Sequence, residues 1–117
     1  MVWNIEFSDV RVYLKLGRTD FRKSVNGLSA LVESVFGRNP TDGSLYVFCS
    51  KSRDRMKILY YERNGFCLWY KRLEADKFRW PKSHDEMIEI TAEEFSWLLR
   101  GLDWRIAHKE RLYGGVV

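Results

Sequence analysis

Apolar and polar residues alternate in "VRVYLKL", residues 10–16, which predicts a strand that Gly17 ends. From Thr19 the period changes. Phe21, Val25, Leu28, Leu31, Val32 and Val35 recur three and four apart, so residues 19–37 are expected to form an amphipathic helix. Thr19 or Asp20 is its expected cap and Gly37 its stop. Gly27 costs such a helix about 1 kcal/mol against alanine, which points to close packing there. "RNPTDGS" is turn chemistry, and "LYVFC" reads as a short buried strand.

A hairpin follows in residues 51–74. Asn64-Gly65 is its strongest turn signal, because both residues tolerate positive φ. With those two at the turn, Arg63 faces Phe66, Tyr61 faces Leu68, Leu59 faces Tyr70 and Lys57 faces Arg72. Tyr60 with Trp69 and Ile58 with Lys71 make up the alternate face. "KFRWP" is expected to add a short strand that Pro81 ends, and "EMIEI" another. "TAEEFSWLLRGL" predicts a second helix, opened by a Thr91–Glu94 capping box and closed by Gly101.

These elements predict an α+β fold: one domain over residues 1–104, with a mostly antiparallel sheet of about five strands packed against two amphipathic helices. Residues 105–117 read as a loosely ordered polar tail. At 117 residues, 45% hydrophobic and with five Trp, the chain can build a core without staples. Cys49 and Cys67 lie in apolar runs without ligand spacing, so they are expected to be reduced core residues and not metal ligands. The opening "MVWNIEFSDV" carries acids where a leader would carry bases, and no apolar run is long enough to cross a membrane. The expected location is therefore the cytoplasm.

Charge changes this picture. The formal net charge of +4 is mild, but it is segregated. Residues 51–82 hold ten Lys and Arg against four acids, whereas residues 85–94 hold five acids and no base. In the hairpin register above, Lys51, Arg53, Arg55, Lys57, Lys71 and Arg72 gather at the end away from the turn. Like charges facing each other on a sheet are unfavourable, so folding alone does not call for this cluster. A phosphate backbone does. Edge lysines also keep strand ends soluble, and Asp54, Glu62 and Glu74 could pair with some of the bases. Arg22 and Lys23 fall in the first turn of the expected first helix, where the dipole disfavours cations but would help them hold a phosphate. The candidate DNA-binding residues are thus Arg22, Lys23, Lys51, Arg53, Arg55, Lys57, Lys71 and Arg72. Tyr60, Tyr61, Trp69 and Tyr70 could stack on unpaired bases, but they are expected to form core on one face of the sheet, as are Trp80, Trp97 and Trp104 elsewhere.

Catalysis is not expected. His84 and His108 stand in polar stretches without a nucleophile or ligand pattern. There is no glycine-rich phosphate loop and no nucleophile elbow. Asp20, Asp54 and Asp103 could be drawn together as a metal site, but each has a local explanation, as a helix cap, an arginine partner or a turn residue. No cofactor, membrane partner or small-molecule substrate is expected.

The segments "TDFRKSVNGLSALV", "GSLYVFCSKSRDRMKILYYERNGFCLWYKRLE", "FRWP" and "LLRGLDW" resemble the small accessory protein TnpB of the IS66 group of bacterial insertion sequences, its second reading-frame product. The resemblance runs from about Val10 to Trp104. It implies a role in transposition beside a separate, larger transposase, with DNA and that transposase as the expected partners. The family's recurring polar positions match Asp20, Arg22, Lys23, Asn26, Arg53, Asp54, Arg55, Lys57, Lys71 and Arg72 here. The resemblance supplies a process and not a mechanism; with no catalytic motif in the chain, the leading reading is a non-catalytic accessory that binds DNA. An adaptor docking on the transposase is the alternative reading, with a small metal-dependent nuclease a distant third.

Overall fold

In the computed structural model, which describes residues 10–81 and 86–102, the strand β1 (Val12–Lys15) is buried at every position. It pairs in parallel with β2 (Leu45–Cys49) and antiparallel with β5 (Met87–Ile90). β3 (Arg55–Glu62) and β4 (Gly65–Arg72) extend the sheet beyond β2, in the order β4-β3-β2-β1-β5. The result is one compact domain with a five-stranded mixed sheet and two helices. Three of the four pairings are antiparallel, as expected. The parallel pair was not anticipated. Parallel neighbours need a crossover connection, and α1 (Val25–Ala30), continued by a π-helical turn Leu31–Val35, supplies it.

Each face of the sheet carries one helix. On one face Val12, Leu14, Val47, Ile58 and Ile90 pack against Phe95 and Leu98 of α2 (Ala92–Leu99). On the other, Tyr13, Tyr46, Phe48 and Leu59 pack against Leu28 and Val32 of the crossover. The Thr91 hydroxyl accepts from the Glu94 N–H at 3.1 Å, and the Glu94 carboxylate accepts from the Thr91 N–H at 2.6 Å, completing the expected capping box. Gly101 ends this helix at φ 76°.

Three expectations are corrected. First, α1 starts at Val25 with Ser24 as its N-cap, so Arg22 and Lys23 lie in a preceding turn and not in a helix. Asp20 organises that turn instead, its side chain accepting from the Arg22 N–H and its carbonyl from the Lys23 N–H. The carbonyls of Phe21 and Lys23, which a helix would use, accept from Lys57 Nζ. Second, the hairpin turn is Arg63-Asn64, with Glu62 opposite Gly65. Lys57 therefore faces Tyr70, Arg55 faces Arg72 and Ile58 faces Trp69. Moving the turn by one residue shifts each partner by two, so every side chain keeps its face.

Third, the "FRWP" segment is not a strand. It is a strap across the carboxyl ends of β1 and β2. The Phe78 N–H donates to Arg53 O at 2.7 Å, and Trp80 Nε1 to Lys15 O and Gly17 O at 3.0 and 3.1 Å. Phe78 and Trp80 are both buried in the α2-side core. The expected tail, along with Asp103, Trp104, His84 and His108, lies outside the described residues.

Candidate functional site

Where β1 and β2 end side by side, the loops that follow them meet. Gly17 makes the turn after β1 possible at φ 73°, and the Thr19 N–H donates to Cys49 O at 2.8 Å. An open groove of about 780 Å³ lies between these loops, lined by Arg18, Thr19, Asp20, Phe21, Ser50, Lys51, Ser52 and Arg55. In open α/β sheets, ligand crevices form outside the carboxyl ends of the strands. Three of the lining residues are cations and one is an acid. The Thr19 hydroxyl is buried there without a hydrogen-bond partner.

Ser50 closes the second loop. Its carbonyl accepts from the Arg53 N–H, its N–H donates to Arg55 O, and its hydroxyl accepts from the Arg55 N–H at 3.2 Å. Arg53 takes a left-handed φ of 63° in this tight turn. It lines a second cleft, with Asp54, Glu74, Asp76, Lys77 and Arg79, where both signs of charge are present.

The acids near the groove stay ionised. The Arg22 guanidinium, and then its backbone N–H, hold the Asp20 carboxyl well below the usual carboxylate range. The Arg22–Asp20 ion pair measures 2.7 Å, and the Arg22 side chain is 91% exposed. The Ser52 hydroxyl, hydrogen-bonded to the carboxylate, lowers Asp54. Burial pushes the Cys49 thiol up to about 12, so it remains a neutral core group.

The eight sequence-predicted bases divide. Lys51 and Arg55 line the groove, Arg72 faces Arg55 across the β3–β4 ladder, and Arg22 and Lys23 occupy the adjoining turn. The Lys23 stem crosses α1 at Gly27, where an added Cβ would lie 3.1 Å from Lys23 Cβ. Lys57 is instead a brace. Its Nζ donates to Phe21 O at 2.9 Å and Lys23 O at 3.0 Å, and sits 4.8 Å from the Phe21 ring centroid. Lys71 points to the opposite face and donates to Leu99 O at 2.8 Å, closing the last turn of α2. The expected gathering of six cations at one strand end is therefore corrected, because alternation along β4 sends Lys71 and Arg72 to different faces.

Sequence reasoning missed Arg18. Its signal was a base directly after the glycine that ends the first strand. The aromatics also depart from expectation. Tyr60 and Trp69 pack on the α2-side core, whereas Tyr70 is on the α1 face and 49% exposed. Among the described residues, no group of three or more His, Cys, Asp or Glu is placed to hold a metal ion, and no helix is long and apolar enough to cross a membrane.

These features define a class: a small α+β domain with a basic groove at the carboxyl ends of its parallel strands. The family model of the IS66 Orf2-like proteins matches residues 10–109, and the chain belongs to that family. Membership implies a role accessory to transposition. Two proteins of Sinorhizobium fredii are similar. The uncharacterized protein y4hO is 38% identical over 97 residues, covering 83% of this chain and 84% of its own length. The uncharacterized protein y4jC is 39% identical over 95 residues, 81% of each chain. No solved structure matches.

Proposed function

We propose that the protein is a non-catalytic accessory of transposition that binds DNA through the groove between the β1 and β2 loops. One observation carries this reading: Arg18, Lys51 and Arg55 line a single open groove, and Arg72 stands directly across the sheet from Arg55. Two arginines opposed on neighbouring strands repel each other, and an external polyanion offsets that repulsion. Asp20, Asp54 and Glu74 lie within ion-pair distance of Arg22, Arg55 and Arg72, but Arg18 and Lys51 have no ion pair among the described residues. On this reading the flanking Arg22 and Lys23 add phosphate contacts beside the groove.

The test is fluorescence anisotropy of labelled element-end DNA and of a scrambled sequence, over a salt series. Binding is expected to weaken with salt on a log–log plot. The combined Arg18→Ala, Lys51→Ala and Arg55→Ala variant should reduce the slope by about 2.7 on duplex DNA, at about 0.9 per phosphate contact. Absence of binding at moderate salt, together with co-elution with the element's transposase, would instead establish the docking adaptor.

A further inference from the structure

The β3–β4 ladder places Arg55 opposite Arg72 and Lys57 opposite Tyr70. Directly opposed residues share a face, so these four side chains form a two-by-two patch on the α1 side of the sheet. The next pair, Leu59 and Leu68, is in the core under α1. The helix cover therefore stops one row short of Tyr70, and the residue is left 49% exposed. β4 is the edge strand, so the ring can be approached from the side as well as from above. Lys57 is engaged by the Phe21 and Lys23 carbonyls, and Arg55 and Arg72 lie 4.0 and 3.1 Å from Asp54 and Glu74. The half-exposed Tyr70 beside the two exposed guanidinium groups nevertheless gains little from folding. It matches the chemistry of an unstacked base with phosphates on either side.

We infer that this patch takes single-stranded DNA, with Tyr70 stacked on a base and Arg55 and Arg72 on the neighbouring phosphates. The inference rests on the DNA-binding reading and narrows it to one kind of strand. The bases of a duplex are stacked on one another and offer no free face to a side chain on a sheet. Tyr70 and Arg72 are two residues apart on one strand, about 7 Å, and Arg55 lies about 5 Å across the ladder. That is the scale of a single extended nucleotide. Arg55 also lines the groove, so a strand leaving Tyr70 passes directly to Lys51 and Arg18. Lys57 ties the Phe21–Lys23 turn over its own end of the row, which leaves Tyr70, Arg55 and Arg72 as the open part of the patch, and its charge adds to the field there.

The experiment compares anisotropy of a labelled oligothymidylate with that of a duplex of equal length, at one salt concentration, for the intact protein and for Tyr70→Ala and Tyr70→Phe. The single strand should bind more tightly. Tyr70→Ala should lower its affinity about tenfold and collapse the preference for single strands, while Tyr70→Phe restores it. Arg72→Ala should reduce the single-strand salt slope by about 0.7. Circular dichroism and sedimentation of each variant accompany the titration. Equal binding of strand and duplex, with no effect of Tyr70→Ala on either, overturns the inference and leaves the DNA-binding reading standing. Failure to bind either DNA overturns both. A Tyr70→Ala variant that changes oligomeric state at unaltered affinity assigns the ring to an interface between copies and overturns the inference alone.

Discussion

Lys51, Lys57 and Lys71 are alike as letters, and the structure gives them different tasks. Lys51 stands exposed in the groove, whereas Lys57 and Lys71 each hold backbone carbonyls far along the chain. The donor–acceptor pairs lie 36, 34 and 28 residues apart, which is why charge counting could not separate these lysines. Replacing Lys57 by Met leaves the Phe21 and Lys23 carbonyls without their charged donor. It should cost about 2 kcal/mol, against less than about 0.5 for Lys51→Ala, in urea-unfolding midpoints. The Cys49 thiol supplies a test with the opposite polarity. Its proton is held more tightly in the folded chain, with a value pushed from the ordinary 9.0 to about 12 by burial. Its contribution is therefore complete below pH 9 and is lost as the pH rises from 9 towards 12. Tyr46 and Tyr60, also raised by burial, act in the same direction. Unfolding midpoints should fall over that range, and less steeply in Cys49→Ala.

At the scale of elements, local signals were read well where their cause is local. The Thr91–Glu94 box and the Gly101 stop of α2 are set within one turn of chain, and both stand where the sequence puts them. β2 has its expected bounds, because five apolar residues between turn signals admit little else. The hairpin was read one residue off. Asn64-Gly65 suits a turn by propensity, yet the left-handed position is taken by Arg63 at φ 57°, and Gly65 opens β4. What decides is packing of the whole ladder, since Leu59 must meet Leu68 under α1. A side chain with Cβ in that conformation costs roughly 1–2 kcal/mol. Arg63→Gly should accordingly raise the urea midpoint by about 1 kcal/mol equivalent, without changing the denaturant dependence. A lower midpoint would show that the Arg63 side chain contributes contacts of its own. The late start of α1 has the same origin as the Lys57 result: a distant ammonium competes for carbonyls that the helical pattern assigned to a longer helix.

For the molecule as a whole, two cores on opposite sides of one sheet were implicit in the alternating strands, but the parallel centre was not. A helix between two strands fits either hand of pairing, and only the sheet order reveals that α1 is a crossover. That order sets where the groove forms. It brings the β1 and β2 loops together, and with them Arg18 beside Lys51, residues that lie far apart in sequence. The groove was thus half legible: its β2-side bases stand in one cluster, and its β1 side follows from topology alone. The sheet order also bears on how the chain is made. β1 emerges early in synthesis, but its second neighbour, β5, is Met87–Ile90. Until those residues leave the ribosome, a strand that ends up buried at every position presents open hydrogen bonds, and the face later covered by α2 is bare. A product terminated after Pro81 should be recovered in the insoluble fraction or degraded, while the full chain stays in the supernatant. A chain cut short before β5 would in that way be cleared by protein quality control, so that only copies with a closed sheet would accumulate.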